Sequence, residues 1–157
     1  MEKLENYISL KKLEVVCNSI EEAHGLPNEC YLEGGYTKFE RKLLFEDKWV
    51  VIGVASNLKQ KGEAIPFNLL GIPLIILKDK NDKIRVFHNV CSHRGYKLLN
   101  EPCKIKNALR CPYHSWAYDL NGKLVSTPHI GGMDKNDADG FLKSRSYLFE
   151  VRTHVWL

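Results

Sequence analysis

Two short loops each pair a cysteine with a histidine. C-S-H contributes Cys91 and His93, and C-P-Y-H contributes Cys111 and His114. Thiolate and imidazole groups are metal ligands in proteins. Two mixed pairs separated only by residues 94–110 therefore indicate a metal centre between the loops.

The order of the four ligands distinguishes between metal centres. Structural zinc sites usually group like ligands, with the cysteines in one short motif and the histidines in another. Here each loop supplies one of each, which suits two irons, one bound by the cysteines and one by the histidines. That is the Rieske [2Fe–2S] arrangement. Zinc held by the same side chains, or two unrelated buried Cys/His pairs, are the alternatives.

The mixed ligand set also has an electronic consequence. Two ferric ions, two sulfides and two thiolates sum to about zero charge with neutral histidines, whereas four thiolates give about −2. Adding an electron to the neutral centre is easier. Each histidine also keeps one ring nitrogen free as a proton site or as a contact to an electron acceptor.

The elements that must position these loops differ between the two ends of the chain. Residues 1–47 read as a helical arm, with one helix starting at Ser19 and stopped by Gly25 and Pro27. Residues 33–35 separate it from a second helix over residues 36–47, where apolar side chains recur at helical spacing.

Strand signals begin near residue 48. Residues 49–55 read as a buried strand, and residues 69–77 and 83–88 as strands joined by the turn D-K-N-D. A hairpin turn is predicted at Asn121–Gly122, and β-like runs at residues 146–151 and 152–157. We therefore predict a mainly β, α+β chain: a helical arm, then an antiparallel sandwich or open barrel over residues 48–157, with a small cluster-binding subdomain at about residues 89–120.

Composition excludes several classes of function. The chain of 157 residues has a net charge of +4, with lysines spread along it rather than gathered in a basic arm, so we expect no nucleic-acid partner. The start M-E-K-L-E-N-Y lacks an apolar signal region, and the longest apolar run is about half of a membrane span. The five cysteines are not spaced as a disulfide framework, so Cys17, Cys30 and Cys103 are expected to be thiols in a cytoplasmic protein.

The two loops resemble a known signature. C-S-H-R-G-Y and C-P-Y-H-S-W-A-Y-D-L-N-G-K-L are similar to the Rieske motif of non-haem iron ring-hydroxylating oxygenase α-subunits. The leading segments G-L-P-N-E-C-Y and E-R-K-L-L-F-E-D-K-W-V-V-I-G, together with V-S-T-P-H-I-G-G, resemble the choline, glycine-betaine and carnitine oxygenases. Ser115 stands where the family more often has glycine.

The resemblance implies a ligand set and a role. Cys91 and Cys111 would bind one iron of a [2Fe–2S] cluster, and His93 and His114 the other. The chain would be the Rieske portion of an oxidoreductase, passing electrons from a reductase or ferredoxin to a mononuclear Fe(II) in a C-terminal catalytic domain of its own or a neighbouring subunit. Such subunits usually form homotrimers.

No set of two histidines and a carboxylate for that second iron is recognisable in the sequence. We therefore expect the catalytic domain and catalytic residues to be absent, and the chain alone to transfer electrons without hydroxylating a substrate. The ending V-W-L reads as a cut strand. The alternative is a stand-alone Rieske ferredoxin, although such carriers generally lack a helical arm.

The resemblance also suggests roles around the cluster. Trp116 would pack over it or serve as a core aromatic, and Tyr118 would donate a hydrogen bond to a cluster thiolate. Tyr96 and Tyr113 take the places of two cysteines that form a disulfide in high-potential respiratory Rieske proteins, which predicts a low potential. Basic residues flank the loops and would attract an acidic electron donor: Arg94, Lys97, Lys104, Lys106 and Arg110. The other histidines are expected to be structural or on the surface: His24, His88, His129 and His154.

Overall fold

A computed structural model describes residues 3–32, 34–46, 48–143 and 146–156. Within these residues the chain forms two compact units, Met1–Val51 and Ile52–Leu157. No helix among the described residues is both long and apolar enough to cross a bilayer.

Short helices make up the N-terminal unit, as the sequence predicts. The α-helices are α1 (Leu10–Glu14), α2 (Glu29–Leu32) and α3 (Gly34–Arg41), accompanied by 3-10 turns at Leu4–Asn6 and Val15–Cys17 and a π-helical turn at Lys42–Glu46. The second predicted helix is confirmed as far as residue 46, since Asp47 lies outside the described residues.

Two details of the helical prediction are wrong. No helix starts at Ser19: its carbonyl accepts bonds from the amides of Glu22 and Ala23, which closes a single turn, and the Ile20 side chain is 91% exposed. An isolated turn with no apolar face to bury does not propagate into a helix. Of the predicted break at residues 33–35, Gly34 and Gly35 belong to α3 instead, and Glu33 lies outside the described residues. A Cβ at Gly35 would lie 3.2 Å from the Tyr7 ring, so glycine lets that ring pack closely.

Two antiparallel sheets make up the C-terminal unit. The five-stranded sheet has the order β4-β1-β2-β3-β8, with β1 (Glu63–Leu69), β2 (Ile72–Lys78), β3 (Ile84–His88), β4 (Cys103–Lys104) and β8 (Glu150–Val151). The three-stranded sheet runs β5-β6-β7, with β5 (Leu109–Arg110), β6 (Ala117–Tyr118) and β7 (Leu124–Ser126). Both sheets contribute to one buried core, in which Ile75 and Phe87 of the larger sheet join Tyr118 and Leu124 of the smaller. The mainly β antiparallel architecture is confirmed.

The hairpin of β2 and β3 is confirmed, with Ile76 opposite Val86. The apolar run of residues 69–77, however, is not one strand. Leu70 and Gly71 have positive φ values of 50° and 92° and form the turn between β1 and β2. Gly71 was the one sign of this turn in the apolar run, and because the run was interpreted as a single strand, β1 was missed.

Residues 49–55 do not form the predicted buried strand. Val51 is 91% exposed and Val54 65% exposed. The edge of the larger sheet beside β1 is instead taken by β4, where Ala64 pairs with Cys103. At the other edge only Glu150–Val151 pairs with β3, and residues 152–156 have no strand pairing. Leu157 lies outside the described residues.

The same turn closes the hairpin of β2 and β3 and that of β6 and β7. One carboxylate oxygen of Asp79 accepts bonds from the amides of Asn81 and Lys83 at 2.8 and 3.0 Å. The corresponding oxygen of Asp119 accepts from the amides two and four residues on, at 2.8 and 2.9 Å. Asp79 differs because it is 1% exposed and receives a further bond of 2.8 Å from Arg85 Nε.

Replacing Asp79 by asparagine should therefore destabilise the fold by about 2 kcal/mol, because Arg85 loses its buried partner and keeps only the more exposed Glu150, 2.8 Å away. Asp119→Asn is the matched control, since it keeps both turn bonds and breaks no such pair, and should cost less than about 1 kcal/mol. Urea unfolding of both variants at pH 7 measures the difference. Equal losses would contradict a special role for the buried ion pair.

The Asp79 contribution should also depend on pH. Burial alone would raise the pKa of Asp79, but hydrogen bonds from Arg85 and the turn amides outweigh it and hold the pKa below its usual value. A depressed carboxyl pKa stabilises the fold above the unfolded-state pKa of about 3.9 and loses that effect as pH falls through the folded-state pKa. The difference in free energy of unfolding between the parent and Asp79→Asn should shrink below about pH 4. A gap that stays constant down to about pH 2 would refute this.

Candidate metal centre

The first Cys/His loop follows β3 and is held by a buried asparagine. Asn89 is fully buried, and its side-chain oxygen accepts bonds from the amides of Leu98 and Leu99 at 3.0 and 2.8 Å. Its side-chain nitrogen donates to the Leu99 carbonyl at 2.6 Å. One side chain thus joins the two ends of the loop. Sequence reasoning missed this residue, because a single asparagine before a loop carries no distinctive pattern.

The second loop is the tip of the hairpin of β5 and β6. Both loops close by the same pair of backbone bonds: the cysteine amide donates to the carbonyl five residues on, and the cysteine carbonyl accepts from the amide four residues on. These bonds are Cys91 to Tyr96 at 2.8 Å and Gly95 to Cys91 at 2.9 Å in the first loop, and Cys111 to Trp116 at 2.7 Å and Ser115 to Cys111 at 3.0 Å in the second. The two loops therefore present their cysteines in the same backbone setting.

Gly95 and Ser115 occupy equivalent positions in the two loops. Both have left-handed backbone conformations, with φ of 71° and 57°. Glycine adopts this region at no steric cost, whereas a residue with a Cβ is strained there. Ser115 therefore carries backbone strain that the first loop avoids.

Ser115→Gly should stabilise the fold by up to about 1 kcal/mol by relieving this strain, without changing the iron content of the protein. Ser115→Ala is the control, because it removes the hydroxyl but keeps the Cβ, and should give no gain. Thermal and urea unfolding of the three proteins test the prediction. A gain in the alanine variant would point to the hydroxyl rather than the backbone.

The structure brings together the four side chains singled out from the sequence. Cys91 and Cys111 are each 2% exposed, and the half-buried rings of His93 and His114 lie with their centroids 4.8 Å apart in an edge-on arrangement. Two cysteines thus lie on the inner side, and two imidazoles reach the surface.

Each imidazole is flanked by an aromatic ring. Trp116, which is 5% exposed and belongs to the core, stacks on His93 with ring centroids 4.4 Å apart and planes at 13°. Tyr113 lies against His114 at 3.7 Å between centroids. Trp116 is therefore both a core aromatic and a cover for the site. Tyr96 and Tyr113 have their rings 5.6 Å apart and partly exposed.

The donor atoms fit an iron–sulfur cluster. Nδ1 of His114 is buried and has no hydrogen-bond partner among the described residues, which is costly unless a metal takes that position. Burial lowers the pKa of His93, and the neighbouring His114 and Arg94 lower it further, so this ring is in the neutral form that binds metals. Among the described residues, no group of three or more His, Cys, Asp or Glu side chains is close enough together to hold a single metal ion. In a [2Fe–2S] cluster each iron needs only two protein ligands.

A hydroxyl group contacts one of the two buried sulfurs. The oxygen of Tyr118, which is fully buried, lies 3.1 Å from Cys91 Sγ, as the sequence led us to expect. Burial raises the pKa of Tyr118, so its hydroxyl keeps its proton and can donate it to a sulfur. Burial also raises the pKa of the Cys91 thiol, although the bond from Tyr118 opposes this shift.

The remaining candidate side chains lie outside this site. None of the five cysteines forms a disulfide, and of the three outside the loops Cys17 and Cys103 are exposed and Cys30 is buried. The Nδ1 atom of His129 accepts a bond from the Asp134 amide at 3.0 Å, within the loop after β7.

An antiparallel β-domain that ends in two equivalent Cys/His loops defines the class of Rieske-type iron–sulfur domains. The sequence model of the Rieske [2Fe-2S] domain matches residues 48–142. The chain belongs to this family, whose cofactor is the [2Fe–2S] cluster predicted from the loops.

Known relatives and solved structures agree with this family. The chain is 30% identical over 128 residues to a carnitine monooxygenase oxygenase subunit of Acinetobacter baumannii, covering 80% of this chain and 34% of the relative. It superposes with a TM-score of 0.76 on a naphthalene 1,2-dioxygenase from Rhodococcus sp., at 27% identity, covering 90% of this chain and 30% of that one. A quaternary ammonium Rieske monooxygenase, whose structure was described with insights into carnitine oxidation and inter-subunit electron transfer, matches with a TM-score of 0.70 and 29% identity over 80% of this chain and 33% of that one.

These matches confirm the resemblance to the Rieske portion of oxygenase subunits. The chain spans about a third of the length of the curated relatives it matches.

Proposed function

We propose that this chain is the electron-transferring Rieske domain of an oxygenase subunit, with Cys91 and Cys111 binding one iron and His93 and His114 the other. The observation that carries the proposal is the meeting of two equivalent loops, with their cysteines buried and their imidazoles 4.8 Å apart at the surface. When bound, the cluster accepts and releases one electron at a time.

The protein residues orient this centre towards the surface. The buried Nδ1 of His114 is the atom placed to bind iron, which leaves Nε2 of that ring for solvent or a partner protein. Trp116 stacks on the ring of His93 and Tyr113 lies tilted against the ring of His114, and these contacts fix the two ring planes. An electron therefore enters or leaves through the imidazole edges, because the cysteines are shielded by the core.

We assign residues 48–157 to the Rieske domain and residues 1–47 to a helical arm. The match of the family to residues 48–142 supports this boundary. By analogy with the oxygenase relatives, the electron acceptor is a mononuclear iron in a catalytic domain of its own or a neighbouring subunit, within a homotrimer. The unpaired cysteines suit a reducing compartment, and we place the protein in the cytoplasm.

The electron donor is proposed to be an acidic reductase or ferredoxin. Five basic residues and the single acidic Glu101 lie within residues 91–115, and Arg94 is close enough to His93 to lower its pKa. A basic surface raises the encounter rate with an acidic partner, and salt screens this effect. Raising the ionic strength from about 0.01 M to about 0.1 M shortens the screening length from about 30 Å to about 10 Å.

We therefore expect the rate of cluster reduction by an acidic ferredoxin to fall about tenfold over that range of salt. Lys97→Glu, beside the first loop, should slow reduction at low salt. Lys80→Glu is the matched control, because Lys80 lies in the turn that precedes β3, at the opposite end of that strand from the loop, and should have little effect. Stopped-flow absorbance measures both rates. A rate independent of salt would contradict an acidic donor.

The function itself is tested by a reductive titration of the purified chain. One electron per chain should bleach the visible absorption of the cluster, and reoxidation should restore it. Uptake of no electrons, or of two per chain, would refute the proposal.

A further inference from the structure

The hydroxyl of Tyr118 contacts three groups of the first loop. Its oxygen lies 3.1 Å from Cys91 Sγ, 3.1 Å from the backbone nitrogen of Ser92 and 2.9 Å from the Ser92 hydroxyl oxygen. Tyr118 is 26 residues from Ser92 in sequence, so this contact exists only because β6 lies against the first loop.

The hydrogen-bond inventory limits the possible directions of these bonds. A phenol has one proton and two lone pairs, and a backbone N–H can only donate. The Ser92 amide therefore takes one lone pair of the Tyr118 oxygen. If the Ser92 hydroxyl donates to the second lone pair, the single proton of Tyr118 is left for Cys91 Sγ. The proton and both lone pairs of the Tyr118 hydroxyl are then all used.

The opposite direction is unfavourable. If Tyr118 donated to the Ser92 hydroxyl, the Cys91 sulfur would lose its only side-chain donor among the described residues. A metal-bound thiolate has no proton of its own to offer in exchange. That would leave a negatively charged, buried sulfur less well solvated.

We propose that Ser92 is a positioning residue that directs the hydroxyl proton of Tyr118 onto Cys91 Sγ and thereby raises the reduction potential of the cluster. The inference rests on the proposed function, in which Cys91 binds iron. A hydrogen bond to a ligand sulfur stabilises the more negative reduced state, so a stronger bond raises the potential. Ser92 acts only through the hydroxyl of Tyr118, and its own hydroxyl makes no hydrogen bond to the sulfur in this arrangement.

Ser92 is well suited to a test because it is exposed and its substitution leaves the core intact. Ser92→Ala keeps the backbone N–H but removes the second donor to Tyr118, so it should weaken the bond to sulfur without abolishing it. We expect the equilibrium constant for reduction to fall about threefold, a downward shift of about 28 mV at 59 mV per tenfold change for one electron. Ser92→Thr keeps the hydroxyl and should restore the parent value.

Tyr118→Phe removes the donor entirely and should lower the constant about tenfold, by about 59 mV. The decisive variant combines Ser92→Ala with Tyr118→Phe. Because Ser92 acts only through Tyr118, the double variant should have the same potential as Tyr118→Phe alone. The double-mutant cycle thus separates an indirect effect from a direct one.

The measurement is a potentiometric titration of the cluster signal in the 157-residue chain and its variants. No shift in Ser92→Ala, or a shift of equal size in the Tyr118→Phe background, would overturn the positioning role while leaving the proposed function intact. If the unsubstituted chain binds no cluster, the proposed function fails, and this inference fails with it. Equal iron content in all variants excludes partial loss of the cluster as the cause of a shift.

Discussion

Cys111→Ser is expected to give a folded protein without iron or acid-labile sulfide. Cys111 is 2% exposed and begins the second loop. Among the described residues, Cys91 and Cys111 are the only cysteines in the buried core, so no third cysteine can replace Cys111 as a ligand. A serine hydroxyl at this place is a poor ligand for iron in a sulfur-bridged cluster, because it does not become an anion at neutral pH. Iron and sulfide analysis, with the visible spectrum, measures the loss.

Cys103→Ser is the matched control. Cys103 belongs to the same unit but lies outside both Cys/His loops, exposed on the edge strand β4, where it pairs with Ala64. This variant should keep the full cluster. Far-ultraviolet circular dichroism of both variants should match the parent, which separates loss of ligation from loss of fold. A Cys111→Ser protein that retains its iron would contradict the ligand assignment.

The histidines should behave in the same way. His114→Ala removes the ring whose buried Nδ1 lacks a partner among the described residues, and should prevent cluster binding. His129→Ala, in the loop after β7, should leave the cluster in place, since the ring of His129 already bonds the Asp134 amide. Electron paramagnetic resonance of the reduced proteins distinguishes the two outcomes.

The midpoint potential should lie in the lower part of the Rieske range, between about −150 mV and about 0 mV. Tyr96 and Tyr113 stand beside the loops as a partly exposed aromatic pair, and neither can form a bridging disulfide. Solvent access and few hydrogen bonds to the sulfurs lower the potential. The bond from Tyr118 to Cys91 raises it somewhat, but Tyr118 reaches only one of the two cysteine sulfurs.

A potentiometric titration followed by circular dichroism or paramagnetic resonance gives this value directly. A midpoint above about +200 mV would contradict the prediction, because it would require sulfur hydrogen bonding and shielding like those of the high-potential members. Unlike the ligand variants, this measurement tests the environment of the cluster rather than its presence.

The features that sequence reasoning predicted correctly are local. The Cys/His motifs and the turns D-K-N-D and L-N-G-K each carry their information within a few residues. The Asp79 and Asp119 turns form because a carboxylate bonds amides two and four residues ahead. Such patterns depend little on the rest of the fold, so they can be recognised in a sequence.

The features that it missed depend on distant partners. Residues 49–55 are as apolar as a buried strand, yet the sheet edge is taken by Cys103–Lys104, whose sequence has no strand signal. Strand propensity describes a fit to a half-buried surface and cannot say which segment will pair. The bonds made by Asn89 and by Ser92 are also set by packing across the loops rather than by any motif.

The most direct test of the proposed metal centre is chemical analysis of the purified 157-residue chain together with its reduced-state paramagnetic resonance spectrum. We predict two irons and two acid-labile sulfides per chain and a signal with the low average g value of a cluster that has histidine ligands. Zinc in the same site with no labile sulfide would contradict the central claim that these loops hold a Rieske cluster.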